Sequence, residues 1–286
     1  MADRSRRQEL ETANPFPATS VTMLAAMIVL LLVPTTGAAK TISIRTEVAV
    51  TPTRGTLIVG LKVTNAGDEA AHSVGASARM GGREVRGATR PVLGPGESWG
   101  EVLELPWEGA AAGQWPLTTT VDYTDANGYP FQAVQMALVS TGEATPAQIV
   151  LPDVTAEAMR QSGRLSAQVK SLSPAAHRVE IRYLVPLGLE VQEPARSFDL
   201  APWSDVRVEA QILNRSALPG SRYPVFVTVE YDDAGGHHAM VAHDVVEILA
   251  KEDHRARYAF AAAALFVLCW LALMGVRFRR RRPAPS

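Results

Sequence analysis

One passage of this chain occurs twice. Gly113–Gly128 (GQWPLTTTVDYTDANG) returns as Gly220–Gly236 (GSRYPVFVTVEYDDAGG), with Tyr223 the counterpart of Trp115 at an offset of 108 residues. A repeat of about a hundred residues is the size of one β-sandwich domain, not of a solenoid unit. The spacing predicts two copies of one all-β module, and hydrophobic segments bracket the pair.

The residues between the turns support strands. Leu57, Val59, Leu61 and Val63 alternate with Ile58, Gly60, Lys62 and Thr64, the period of a half-buried strand. The second copy answers with Leu165, Ala167 and Val169, and adds Val179, Ile181, Tyr183 and Val185, then Val206, Val208, Ala210 and Ile212. Within the repeated passage, Leu117, Thr119, Val121 and Tyr123 match Val225, Val227, Val229 and Tyr231 on the inward face. Asn65-Ala66-Gly67, Gly94-Pro95-Gly96, Asn127-Gly128, Pro186-Leu187-Gly188 and Gly235-Gly236 punctuate these runs. Glycine supplies the positive φ of tight hairpins, and proline stops ladder pairing. Helical periodicity is almost missing; Ala156–Gln161 is read as a single helical turn between the modules.

The predicted fold class is all-β: two tandem antiparallel immunoglobulin-like β-sandwiches of about seven strands each. The expected division is a signal peptide or uncleaved anchor over 1–39, sandwiches over 40–141 and 147–250, and a juxtamembrane linker over 251–257. A transmembrane helix over 258–276 and a basic cytoplasmic tail over 277–286 complete it.

A strand ending Val63-Thr64-Asn65-Ala66-Gly67, then Leu93-Gly94-Pro95-Gly96-Glu97-Ser98, then Gly113-Gln114-Trp115-Pro116 leading into Val121-Asp122-Tyr123, resembles bacterial and archaeal immunoglobulin-like adhesion modules of the CARDB and NEW3 types. The resemblance implies an extracellular β-sandwich, accessory rather than catalytic. The second copy departs from it. Ser171-Leu172-Ser173-Pro174 replaces the Asn-x-Gly turn, and Leu200-Ala201-Pro202-Trp203 replaces Leu-x-Pro-Gly, which puts a shared binding surface in doubt.

The two ends set the expected topology. Tyr258–Val276 carries no charge over 19 residues, enough for a helix to cross about 30 Å of hydrocarbon. Arg277, Arg279, Arg280, Arg281 and Arg282 follow, and such a cluster marks the cytoplasmic side, with Tyr258 placed at an interface. Val21–Val33 is shorter and ends at Pro34, which suits a signal-peptide core with cleavage before Lys40. Ser5-Arg6-Arg7 is similar to a twin-arginine signal, but Glu9 and the distant apolar core argue for coincidence. Both readings of the N-terminus put residues 40–257 outside the cytoplasm, on a single-pass protein of the cytoplasmic (inner) membrane.

Formal charge is -1 for the whole chain, with 28 Lys+Arg and 29 Asp+Glu. The eight arginines and three acids near the ends mask a middle of 20 basic and 26 acidic residues. That balance argues against nucleic acid as a partner. The one cysteine, Cys269, lies in the C-terminal apolar run, so no intrachain disulfide forms.

Candidate sites are few. His237, His238 and His243 with Asp232 and Asp233 have metal-ligand chemistry. Adjacent histidines on a strand point to opposite faces, however, and this stretch is read as a polar turn with no metal. Asp125, Asn127 and Gly128 begin like a calcium loop but lack its later ligands, so they are read as a hairpin turn. Trp99, Trp107, Trp115 and Trp203 could stack on sugars; Trp115 precedes a core strand and is read as packing. Trp107 and Trp203 are the candidate glycan or partner contacts. No nucleophile elbow or phosphate-cradling loop is present, and neither an enzyme nor a cofactor is expected. The partners expected are the lipid bilayer and an envelope protein close to it, with a glycan as the alternative and a hydrolase site across both modules as the outsider.

Overall fold

Alternating apolar residues on neighbouring strands make two hydrophobic cores in the computed structural model, which describes residues 41–108, 111–143, 145–250 and 255–280. The signal segment expected over 1–39 lies outside the described residues, as do most of the linker over 251–257 and the last six residues of the tail.

The first core lies between two sheets. β1 (Ile44–Thr53), β2 (Thr56–Asn65) and β5 (Ser98–Pro106) form one, in the order β1-β2-β5. β3 (Ala71–Met80), β4 (Arg83–Leu93), β6 (Gly113–Thr124) and β7 (Pro130–Thr141) form the other, with β3 between β4 and β6, and β7 on the far side of β6. Leu57, Val59, Leu61 and Val63 face Val74, Ala76, Leu117 and Val121 across the gap, and all eight are buried. Their partners in sequence turn outward, so the predicted alternation is the observed one.

The second core repeats the plan. β8 (Ile149–Ala156), β9 (Ser162–Ser171), β11 (Leu189–Val191) and β13 (Asp205–Asn214) form one sheet, in the order β11-β13-β9-β8. β10 (His177–Leu184), β12 (Ala195–Leu200), β14 (Arg222–Asp233) and β15 (Gly236–Glu247) form the other, in the order β12-β10-β14-β15. Leu165, Ala167, Val169, Ile181, Val227 and Val229 fill the space between them. β6 and β14 are the two copies of the repeated passage, each central to its sheet. The short β11 has no counterpart in the first sandwich. Among these strands the only parallel pairing in the registers is that of β15 with β6, which joins their two sheets into one of eight strands.

Ala156–Gln161 is not the helical turn that the sequence predicted. Ala156 ends β8, Met159 makes a lone parallel bridge to Ile248, and β9 begins at Ser162. Met159 N–H donates to the Glu247 carbonyl and Leu249 N–H to that of Met159, at 2.9 and 2.8 Å. With its side chain 2% exposed, burial against the core wins over local helix propensity.

One helix, α1 (Arg255–Arg280), covers the run expected to be helical. Its side chains are described at 258 and 260–273. Among the described residues no helix is long and apolar enough to cross a membrane. The expected span Tyr258–Val276 falls within α1, and of its arginine cluster Arg281 and Arg282 lie outside the described residues.

Candidate functional site

The β14–β15 hairpin explains how the chain builds its most unusual polar contact. Ala234-Gly235 forms the turn, so Asp233 pairs with Gly236, Asp232 with His237 and Tyr231 with His238. The Asp233 carboxylate tightens the turn by accepting from Gly235 N–H at 2.7 Å. Directly opposed residues on an antiparallel pair meet side by side, and here that puts an imidazole against a carboxylate on one face.

His237 and His238 point to opposite faces, as a strand requires, but they are not part of a solvated turn. They are 6% and 1% exposed. His238 Nε2 lies 2.9 Å from Asp233 Oδ1, and its ring stacks on Tyr231 at 4.7 Å. Its Nδ1 is buried without a hydrogen-bond partner among the described residues. His237 has a carboxylate at each ring nitrogen: Asp232 Oδ1 lies 2.9 Å from Nδ1, and Glu230 Oε2 lies 3.3 Å from Nε2. Among the described residues no group of three or more His, Cys, Asp or Glu is placed to hold a metal ion.

Trp115 of the first sandwich covers His237. The two rings stack at 3.6 Å with an interplanar angle of 15°. His237 N–H donates to the Ala112 carbonyl at 3.0 Å, next to the pairing of His237 with Gly113. Gly113 has φ 144° and Gly236 has φ 120°. A Cβ on Gly113 would overlap the His237 carbonyl, and one on Gly236 would overlap that of Ala112. Two glycines thus let two backbones touch where the sandwiches meet.

The contact recurs at the other end of the strands. Tyr129 Oη donates to the Ser216 carbonyl at 2.6 Å, and Leu187 N–H donates to Gln132 Oε1 at 3.2 Å. The modules lie alongside each other, sharing a seam, rather than meeting only through the linker. A cleft of about 930 Å³ opens beside that seam. Arg79, Glu84, Glu180, Arg182, Glu230 and Asp232 line it, together with Trp115 and His237. Its charges are largely paired: Arg79 with Glu84 at 2.9 Å and Arg182 with Glu180 at 2.8 Å. Hydrogen bonds from Arg86 and Arg79 hold the Glu84 carboxyl below the usual carboxylate range.

The two tryptophans singled out from the sequence have opposite fates. Trp107 is 9% exposed and belongs to the first core. It meets Trp115 edge-on at 5.0 Å, and the Arg83 guanidinium lies 5.4 Å from its ring. Its Nε1 is buried without a hydrogen-bond partner among the described residues. Trp203 is 66% exposed. Its backbone has φ 54°, which is rare for a bulky residue. The turn is held by Trp203 N–H to the Ser173 carbonyl and by the Ser204 hydroxyl to the Ala201 carbonyl, at 3.2 and 2.6 Å. The structure does not bring Trp107 and Trp203 together. Asp125 forms the turn read from the sequence, its Oδ1 accepting from Asn127 N–H and Tyr129 N–H at 2.8 Å each. The hydrogen bond from the Tyr129 backbone leads those that hold its carboxyl low.

No protein-family model matches this chain, and no curated protein sequence does. The resemblance to CARDB and NEW3 modules therefore stands on its motifs alone. Among solved structures, the native alpha-2-macroglobulin of Escherichia coli is similar over 72% of this chain and 17% of its own, at 11% identity and TM-score 0.29. A putative carbohydrate binding protein from Bacteroides uniformis is similar over 63% of this chain and 91% of its own, at 10% identity and TM-score 0.28. Red sea bream transglutaminase is similar over 83% and 34%, at 14% identity and TM-score 0.24. The chain spans less than a fifth of the alpha-2-macroglobulin it matches, and likeness at this level identifies neither a substrate nor a partner.

Proposed function

We propose that this chain is a membrane-anchored, extracytoplasmic, non-catalytic scaffold or assembly protein that presents two immunoglobulin-like sandwiches to an envelope partner near the bilayer. The observation that carries the reading is α1. Every described side chain in it, at 258 and 260–273, is exposed, and none is charged. Tyr258, Phe260, Leu265, Phe266, Leu268 and Leu273 are among them. A helix apolar on all sides needs an apolar environment on all sides, and lipid supplies one. Arg277 and Arg279–Arg282 would then face the cytosol, and the few residues between β15 and α1 would keep the second sandwich close to the bilayer. The paired strands and mixed-charge cleft suit a surface for a folded partner better than a reaction centre. The module type proposed is that of the CARDB and NEW3 resemblance.

Fractionation of cells with an alkaline wash tests the anchor, and protease protection tests its orientation. The expected result is a membrane-retained chain whose middle is degraded only when the extracytoplasmic side is opened. Deleting residues 255–286 should release it. Release of the intact chain by the wash, or a middle protected on the cytosolic side, overturns the reading. Crosslinking in cells followed by mass spectrometry would identify the neighbour.

A second reading is glycan binding, and the exposed, rigidly held Trp203 favours it. An aromatic face in water can stack on a sugar ring. If so, Trp203→Ala abolishes retention on an envelope glycan while leaving folding unchanged. Equal retention of wild type and variant, or none by wild type, removes this second reading.

A further inference from the structure

A neutral imidazole has one N–H donor and one acceptor nitrogen, whereas a carboxylate only accepts. His237 places a carboxylate at both nitrogens, 2.9 Å from Asp232 and 3.3 Å from Glu230. Both contacts are hydrogen bonds together only when the ring is an imidazolium. A flat cation stacked at 3.6 Å on Trp115 also gains from the indole face. That indole belongs to the other sandwich, and the same residue's N–H reaches across to Ala112. The ring that would carry the proton is therefore the ring that joins the modules.

We propose that His237 is a proton-operated latch: protonated, it clasps the second sandwich to the first beneath Trp115, and deprotonated, it lets the seam and its cleft loosen. Loss of the proton removes one of the two charge-assisted bonds and the cationic share of the stack. The mostly buried Glu230 has more need of the remaining N–H than the largely exposed Asp232, so the Asp232 contact breaks.

The surroundings leave this proton a local affair. β14 presents Glu230 and Asp232. β10 presents Glu180 and Arg182, with Arg182 Nε 3.8 Å from Glu230 Oε1. β3 and β4 place Arg79 and Glu84 on the opposite wall, already paired with each other. β6 contributes Trp115 there, and β7 carries no titratable residue. On β15 itself, His238 points the other way and is held by Asp233. Burial pulls the His237 ring towards neutrality, but the bonds to Glu230 and Asp232 outweigh it and set its pKa above the usual histidine value. A raised pKa in the closed state means the latch contributes fully below the ordinary value of about 6.5 and is lost as pH rises through the raised one.

The test uses the full chain in detergent with Cys269→Ser and spin labels on Glu47→Cys and Arg207→Cys, one exposed site on each sandwich. Pulsed electron resonance then reads the distance between modules at about pH 5 and about pH 9, either side of histidine titration. One narrow distribution is expected in acid. In alkali a broader, longer component should grow roughly tenfold, the weight of one charge-assisted hydrogen bond. His237→Gln should abolish the pH response, and Glu230→Gln should move its midpoint to lower pH. A distribution unchanged across this range overturns the proposal. So does a response that survives His237→Gln or keeps its midpoint in Glu230→Gln. None of these outcomes depends on membrane orientation or on the partner.

Discussion

Gly113 and Gly128 both have positive φ, 144° and 79°, yet an added methyl group would meet different surroundings. At Gly128 nothing lies within 4 Å, so Gly128→Ala should cost about 1 kcal/mol of backbone strain. At Gly113 the methyl would overlap the His237 carbonyl, and Gly113→Ala should cost about 2–4 kcal/mol or open the seam. Paired denaturant titrations decide between them; equal midpoints would mean that the backbones do not touch. Trp107 gives a second contrast. Trp107→Phe removes an unpartnered buried donor while keeping most of the ring, and should cost under about 1.5 kcal/mol. Trp107→Ala leaves a hole and should cost about 3–5 kcal/mol. A packing role shows as that difference in thermal melts; equal, small losses would return Trp107 to the surface. The sequence named Trp107 as a residue with a face to offer because it follows a strand end. Arg83 and Trp115, which pack against it, come from other strands, β4 and β6.

Strands were the legible elements. In β2 and β9, inward and outward residues follow the two-residue period, because each strand has one face on a core and one in water. The segment after β8 was misread because its polar residues and Met159 fit a short helix as well as an irregular crossing. Only the bridge to Ile248, nearly 90 residues later, decides it. Met159→Ala should therefore cost about 2–5 kcal/mol in chemical unfolding, as for any buried thioether. A loss below about 1 kcal/mol would place Met159 outside the core. By contrast, Lys62→Ala on β2 breaks only the exposed pair with Glu47 and should change stability by less than about 1 kcal/mol. The pairing of Asp232 with His237 was also within reach of the sequence, since a two-residue turn at Ala234-Gly235 dictates it. The residues along one strand do not, however, reveal what covers that pair.

For the whole molecule, two carboxylate–histidine contacts in the β14–β15 hairpin bear on opposite sides of neutrality, one through Asp233 and one through His237. Burial raises the Asp233 pKa, but the His238 and Gly235 hydrogen bonds outweigh it and leave the carboxyl depressed. Its contribution is present above the ordinary aspartate value of about 3.9 and is lost as pH falls through the lower folded one. Asp233→Asn should flatten the acid limb of a melting-temperature profile and leave the alkaline response of the seam in place. An acid limb of unchanged steepness would show that Asp233 does not contribute to it. What the residues determined alone was the duplication, the all-β class, the strand faces and an apolar C-terminal helix. These follow from short-range periodicity and from the chemistry of turns. Only the tertiary structure decided that the modules lie side by side, that Trp107 is enclosed and that His237 meets Trp115. The His237–Trp115 meeting joins residues 122 positions apart, beside backbones close enough to require glycine, and no local pattern encodes such a meeting.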